Sequence, residues 1–329
     1  MKRKIVIIHK GGSSHTWCED LLAGFLEAGC EATVITLRDR TLEERRVQAK
    51  CGQKHFENPA TIDRIAGQIR QSKPDLVVLL NYAALPEMTH TRIRHAAGPR
   101  TPLVSWLADH ITLLPDRTFP NLDGIHYFDS ATLPLLESFY AGSPVRLGFL
   151  PLAVNPSRFQ FHGRPWQERT PGLVFVGNNT KSRRAMIDEL RKLGSQVSSF
   201  GPKAQAGLYF WRSRKITPIQ TSRIYGSHQA VLNMLQPPNT IHGLNLRAFE
   251  VPACGGLGSY PLTPDLENTF IPGKEIIGYK DIKDLQHQFS EIAADSTRAQ
   301  SMILAGHQRV RSEHTYVVRA RCLLSDWLP

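Results

Sequence analysis

Strand signals alternate with amphipathic helix signals along this chain, break off, and then begin again. Parallel strands need a crossover between neighbours, and a helix normally supplies it, so this alternation predicts doubly wound parallel sheets. In the first half, β-rich runs fall at 4–9, 32–37, 75–80, 103–106 and 124–128. Helical periodicity lies between and after them at 18–27, carried by Leu21, Leu22, Phe25 and Leu26, at 62–69, and at 133–140. The pattern restarts at Gly172 with Leu173-Val174-Phe175-Val176, followed by helical segments at 183–193 and 219–225 and strands at 196–200 and 230–235. Three further helical segments, 282–294, 297–311 and 317–327, end the chain. The stretch 151–171, rich in Pro, Arg and aromatic residues, reads as a linker. The pattern predicts an α/β protein with one domain over 1–155, a second over 156–310 and a last segment, 311–329. The two halves share an architecture but no readable repeat.

A chain of 329 residues is long enough for two such cores. Its 41% hydrophobic and 21% charged content is that of a soluble globular protein, expected in the cytoplasm. No run approaches the ~20 apolar residues of a membrane span, and the basic start at 1–4 leads only into the short apolar stretch 5–8, a first strand by its pattern. Cys18, Cys30, Cys51, Cys254 and Cys322 are odd in number and lack Cys-x-x-Cys spacing, so reduced thiols and no zinc site are expected. The net charge of +11 favours polyanions, anionic lipid heads or phosphorylated ligands. Its denser patches, 38–54 and 203–223, carry no nucleic-acid motif, so nucleic acid is not expected, while peripheral contact with an anionic membrane stays open.

The stretch Gly243 to Gly256, GLNLRAFEVPACGG, carries the most chemistry. Gly243-Leu244 makes a tight turn, and Asn245 can cap a helix whose apolar face is Leu246, Phe249, Val251 and Ala253. Gly255-Gly256 stops that helix before a short strand at 257–260. A glycine turn feeding a helix N-terminus offers unpaired N–H groups and the positive end of a dipole, which together favour phosphate. Arg247 in the first turn adds a guanidinium. Glu250, about one turn further in, has the reach to accept from the two hydroxyls of a ribose, its rival reading being a salt bridge to an arginine. Together these point to a nucleoside diphosphate. Cys254, between Ala253 and Gly255, fits small-residue packing better than a nucleophile.

This segment resembles the donor-binding helix of GT-B glycosyltransferases, most closely the branch similar to spore maturation protein CgeB, where Arg-x-Phe-Glu, a small residue and paired glycines recur. Gly273-x-Glu275, Tyr279-x-Asp281, His314-Thr315 and Arg319 also resemble that pattern, as do Trp106-x-x-Asp109 and Leu150-Pro151-Leu152-Ala153-Val154 in the first half. The resemblance implies two Rossmann-like domains facing a cleft, with the terminal helix returning to the N-terminal domain. Retaining relatives carry two glutamates with seven residues between them, one on the donor sugar and one on the ribose. Glu250 matches the second; His242 stands where the first belongs and is the expected donor-sugar contact.

Three other places carry candidate chemistry. The loop Gly11-Gly12-Ser13-Ser14-His15 follows the first strand, at the carboxyl edge where ligands bind. Gly12 would let it approach the donor, and His15 either contacts sugar or acceptor or caps the helix. Asp109 and His110 follow Trp106 at another carboxyl edge; Asp109 is the preferred base for an inverting transfer, or else caps a turn. Gly177-Asn178-Asn179-Thr180-Lys181, followed by Arg183 and Arg184, resembles the place of the basic diphosphate contacts in GT-B enzymes. Asn178, Lys181 and Arg184 are the expected donor contacts, the alternative being a solvated helix start. No Asp-x-Asp pair is present to hold a metal, so leaving-group stabilisation is expected to be electrostatic, with no metal or cofactor.

The expected activity is transfer of a sugar from a nucleoside diphosphate sugar, held mainly by the C-terminal domain, to an acceptor entering from the N-terminal side: a glycan, protein or small molecule. The alternatives are a GT-B-like scaffold that binds the nucleotide without transfer, and a basic nucleic-acid binder.

Overall fold

The computed structural model describes residues 2–9, 15–36, 59–80, 87–111, 122–201, 216–235 and 239–329. They form two compact units, Met1–Pro151 with Tyr316–Pro329, and Leu152–Thr315.

Unit 1 is built on six parallel strands, β1 (Lys4–His9), β2 (Glu31–Thr36), β3 (Leu76–Leu80), β4 (Leu103–Leu107), β5 (Gly124–Tyr127) and β6 (Arg146–Phe149). They lie in the order β2-β1-β3-β4-β5-β6. β3 and β4 are buried at every residue, as central parallel strands covered on both faces should be. The helices are α1 (His15–Glu27), α2 (Pro59–Ser72), α3 (Glu87–Ala97) and α4 (Leu133–Phe139). Ile65 and Ile69 of α2, Ile93 of α3 and Leu136 of α4 pack on one face of the sheet. The last helix of the chain, α11 (Tyr316–Trp327), packs on α1. Arg319 donates to the carbonyl of Pro151 at 2.7 Å, and Trp327 donates through Nε1 to His126 Nε2 at 2.9 Å.

Unit 2 places β7 (Thr170–Val176) between β8 (Val197–Phe200) and β9 (His228–Val231), all parallel. Val231 bridges to Gly258, and β10 (Ser259–Pro261) then pairs in parallel with β11 (Ile277–Tyr279). Alternation along β7 sends Leu173 and Phe175 to one face and Val174 and Val176 to the other. The first face is covered by α5 (Lys181–Lys192), α9 (Ile282–Ala294) and α10 (Ser296–Glu313). The second is covered by α6 (Pro218–Ser227) and α7 (Arg247–Ala253). The short α8 (Pro264–Thr269) follows β10.

The stretch expected as a linker is bonded into unit 2. Val154 donates to the carbonyl of His314 and bridges Thr315, His162 donates to Cys254, and Arg164 donates to Gly226. The guanidinium of Arg169 closes the arrangement by donating to the carbonyls of Arg164, His228 and Gly255. These bonds place the division at 151/152, where 155/156 was expected, and α11 begins the returning segment at Tyr316 in place of residue 311.

Candidate functional site

The polar groups of unit 2 gather where β7 and β9 end. The chain leaves β7 at Gly177, φ +153°, and enters α5 four residues later. A Cβ on Gly177 would lie 3.2 Å from Arg247 Nη2, so the guanidinium sits against the backbone at this exit. Arg183, in the first turn of α5, approaches the same place. The Cζ atoms of Arg183 and Arg247 each lie 5.4 Å from the centroid of the Phe175 ring. Among the described residues neither guanidinium is paired with a carboxylate. Arg183 is 7% exposed; its Nη1 donates to the carbonyl of Asn178 at 2.9 Å, and its Nε is buried with no partner among the described residues. Burial first, and the Arg247 charge second, push the Arg183 guanidinium down to about 10. Two cations held together with no carboxylate partner among the described residues favour an anionic ligand.

The turn before α7 is fixed by buried polar side chains. Tyr260 donates to the carbonyl of Gly243 at 2.9 Å and accepts from the N–H of Asn245 at 3.0 Å. Leu244 is buried beneath it. Asn245, the expected cap, lies one residue before the N-cap position: the helix starts at Arg247 with Leu246 at the N-cap and no side-chain cap bond, while Asn245 Oδ1 accepts from the N–H of Arg247 at 3.1 Å. Asn233, at the end of the apolar run after β9, pairs reciprocally with Asn245, both Nδ2 to Oδ1 distances being 2.9 Å. Asn233 Oδ1 also accepts from Arg247 Nη1 at 2.7 Å. One expectation is corrected here. The amides of Asn245, Arg247 and Ala248, expected to be unpaired, all have partners within the protein, and α7 is only seven residues long.

Glu250 is half-buried on α7 beside Tyr225 and Cys254, and its charge helps burial to raise both of those groups. Cys254 is fully buried and its thiol is pushed up to about 12, mainly by burial, which is the packing role expected of it. Gly255 ends the helix with φ +73°, its N–H reaching the carbonyl of Pro252 at 2.9 Å. His242 is half-buried and its carbonyl accepts from Thr263 Oγ1 at 2.7 Å.

Structure and expectation divide on the basic residues of α5. Lys181 and Arg184 are exposed, as is Asn178, which contributes its carbonyl to Arg183 and to the N–H of Thr180. Arg183 is the residue brought to Arg247. Its signal lay in the helical period, because Arg183, Ile187 and Leu190 form the buried stripe of α5. Asn233 and Tyr260 were also missed, although an Asn inside the apolar run 230–235 breaks the pattern visibly.

In unit 1, Asp109 and His110 lie just beyond the carboxyl end of β4 and are half-buried, with His110 Nδ1 3.0 Å from Thr132 Oγ1. Trp106 is buried and donates through Nε1 to the carbonyl of Leu150 at 2.9 Å. His15 is the first residue of α1. Gly12 and its loop, Cys51, and the basic stretches 38–54 and 203–215 lie outside the described residues. The remaining pattern residues bond locally: Glu275 pairs with Arg309, Tyr279 donates to the carbonyl of Asn233, Asp281 caps α9, and His314 packs on Phe249 and Phe270. Among the described residues no group of three or more His, Cys, Asp or Glu is placed to hold a metal, and no helix is long and apolar enough to cross a membrane.

Residues 169–325 match the family model described as Glycosyl transferase-like. No curated protein matches the sequence. Solved structures similar in fold include a glycosyltransferase from Rickettsia africae, 12% identical with a TM-score of 0.71 over 99% of this chain and 98% of that one. Sucrose-phosphate synthase from Thermosynechococcus elongatus is also 12% identical, with a TM-score of 0.67 over 99% and 98%. Anabaena HepE in complex with UDP-glucose is 12% identical, with a TM-score of 0.65 over 98% of each chain. At such identities the likeness is one of fold. The chain has the parallel-sheet α/β fold of the GT-B glycosyltransferases, and its segment 169–325 matches the glycosyl transferase-like family.

Proposed function

We propose that the protein is a glycosyltransferase of the CgeB-like branch that takes a sugar from a nucleoside diphosphate sugar without a divalent metal. The observation that carries this reading is the meeting of Arg183 and Arg247 at the end of β7, with no carboxylate partner among the described residues, inside the segment that matches the family. A diphosphate supplies the missing negative charge. In transfer the leaving diphosphate gains charge as the bond to the sugar breaks, and two cations held in place stabilise it without reorganising. The solved complex of HepE with UDP-glucose supports a nucleotide-sugar as the donor class.

In this reading Glu250 accepts from the ribose hydroxyls, as the resemblance implies and its position on α7 permits. His242 contacts the donor sugar, with Gly243, Leu244 and Asn245 forming the turn beside the phosphates. Asn178, Lys181 and Arg184 remain donor-side candidates, their exposed side chains reaching a ligand only from outside the Arg183 and Arg247 pair. Asp109 is the proposed base, with His15 contacting sugar or acceptor and Gly12 a donor-side residue. The acceptor is a glycan, protein or small molecule, and the protein acts in the cytoplasm. A scaffold that binds nucleotide without transfer is the second reading, favoured by the histidine at position 242 where a carboxylate belongs.

Calorimetry with uridine, guanosine, adenosine and thymidine diphosphates tests the donor claim. Binding of at least one, weakened tenfold or more in Arg247→Ala, supports it; no binding by a folded wild-type protein refutes it. Hydrolysis or transfer from the matching nucleotide-sugar then separates the enzyme from the scaffold.

A further inference from the structure

We infer that Asn233 is a positioning residue that holds Arg247 through a neutral oxygen, so that the guanidinium is fixed in place with its charge left for a ligand anion. The inference rests on the nucleoside diphosphate reading for the identity of that anion. The positioning itself rests on the hydrogen bonds alone.

Asn233 is 2% exposed and lies where the chain turns out of β9. Its Oδ1 accepts from three donors: Arg247 Nη1 at 2.7 Å, Asn245 Nδ2 at 2.9 Å and the N–H of Met234 at 3.0 Å. Its Nδ2 donates to Asn245 Oδ1 at 2.9 Å, and that oxygen accepts from the N–H of Arg247 at 3.1 Å. Both ends of Arg247 are therefore held, the backbone through Asn245 and the guanidinium through Asn233. The orientation of the Asn233 carboxamide follows from chemistry: turned over, its NH₂ would face the Arg247 guanidinium and the Met234 N–H, which can only donate. Its backbone is tied as well, since Tyr279 donates to its carbonyl at 2.7 Å.

The choice of a carboxamide has an electrostatic consequence. An aspartate could accept the same bond from Arg247 and would bind it more strongly, but it would also neutralise it, and it would give up the bond that Nδ2 donates to Asn245 Oδ1. Asn233 fixes the geometry and adds no charge, and on the other side Arg183 adds a second cation over the same ring. The exchange trades a bond inside the turn for a stronger one to Arg247. A group that must leave Arg247 available to an anion loses by it.

Asn233→Asp separates the two roles. Affinity for inorganic pyrophosphate and for the nucleoside diphosphates above is measured by calorimetry, alongside the melting temperature and the crystal structure of each variant. Asn233→Asp is expected to keep Arg247 against Gly177 and Phe175 in its crystal structure while pyrophosphate and nucleotide affinity fall tenfold or more. Asn233→Leu, which deletes the acceptor, is expected to move Arg247 away from Gly177 and Phe175 and to weaken binding similarly. Wild-type affinity in a folded Asn233→Asp protein, or an unmoved Arg247 in Asn233→Leu, overturns the inference. If Asn233→Leu does not fold, Asn233→Ser replaces it, its shorter side chain being unable to span to Arg247 and Asn245 together. If the wild-type protein binds none of these anions, the donor reading fails, and the position of Arg247 in Asn233→Leu or Asn233→Ser still decides the role of Asn233.

Discussion

Replacing Arg183 by Met should make the nucleotide-free protein more stable and a worse binder. Arg183 lies on the buried stripe of α5 with Ile187 and Leu190, over the ring of Phe175, so an unbranched apolar side chain keeps most of its packing. What it removes is a buried cation beside another. The fall of the guanidinium from 12.5 to about 10 corresponds to about 3 kcal/mol at ~1.4 kcal/mol per pH unit. A base whose folded value lies below its unfolded one weakens the fold wherever it is charged in both states. The penalty is therefore complete at every pH below about 10 and fades only as pH rises through that value. Against it stands the lost bond to the carbonyl of Asn178, worth about 1 kcal/mol, which water replaces readily because Asn178 is exposed. The net expectation is a gain of roughly 1–2 kcal/mol near neutral pH, a rise in melting temperature of about 2–6 °C by calorimetry. Saturating nucleoside diphosphate should then raise the melting temperature of wild type far more than that of the variant, since the ligand term grows as RT ln(1 + [L]/Kd). Arg183→Met melting below wild type without ligand would refute the argument that the paired cations are strained, and unchanged nucleotide affinity would remove Arg183 from the site.

Glu250→Ala should weaken nucleoside diphosphate binding by roughly 1–3 kcal/mol, the scale of lost hydrogen bonds to a charged group, and unchanged calorimetric affinity in the folded variant removes the ribose assignment. Chelator should leave donor binding and transfer largely intact; a strict need for magnesium or manganese would show that cationic side chains do not replace the metal. Asp109→Asn should lower turnover about 10²–10⁴-fold with donor affinity unchanged, and near wild-type turnover would rule out Asp109 as the base. Burial holds His126 near 4, neutral and accepting from Trp327 at ordinary pH, with Asp326 raising and Arg146 lowering its value. Because the unfolded histidine takes up a proton first, unit 1 should lose stability as pH falls from about 6.5 toward 4, and His126→Gln should flatten that dependence in acid unfolding curves.

Central strands and long helices were legible because their burial is written in their composition. Leu76–Leu80 and Leu103–Leu107 are apolar on both faces, and α9 and α10 show their stripes plainly. Other elements were hidden for physical reasons. In α3 the fully buried face includes His90 beside Ile93, so a histidine occupies a core position and blurs the helical period. β6 is an edge strand with no buried residue, and β10 and β11 are three residues each, too short for an alternation to show. β9 was expected to run through the apolar residues to 235 but ends at Val231, because the side chain of Asn233 takes the N–H of Met234 and turns the backbone out of the ladder.

The same substitution of side-chain for backbone bonding explains what the sequence concealed about the site. The glycine turn and the Arg247-x-x-Glu250 spacing single out this segment, yet a turn read alone suggests open N–H groups. Here Tyr260 and Asn245, fifteen residues apart, close them. Arg184 and Lys181 look like the obvious phosphate contacts because exposed cations are conspicuous in a helix start. Arg183 shares the apolar face, and only a reading that asks why a guanidinium sits on a buried stripe selects it. Burying it is unfavourable without a ligand, and so is leaving Arg247 beside it on a neutral oxygen. An apolar residue at 183 would spare the fold the first of these costs, and the proposed anion would offset both.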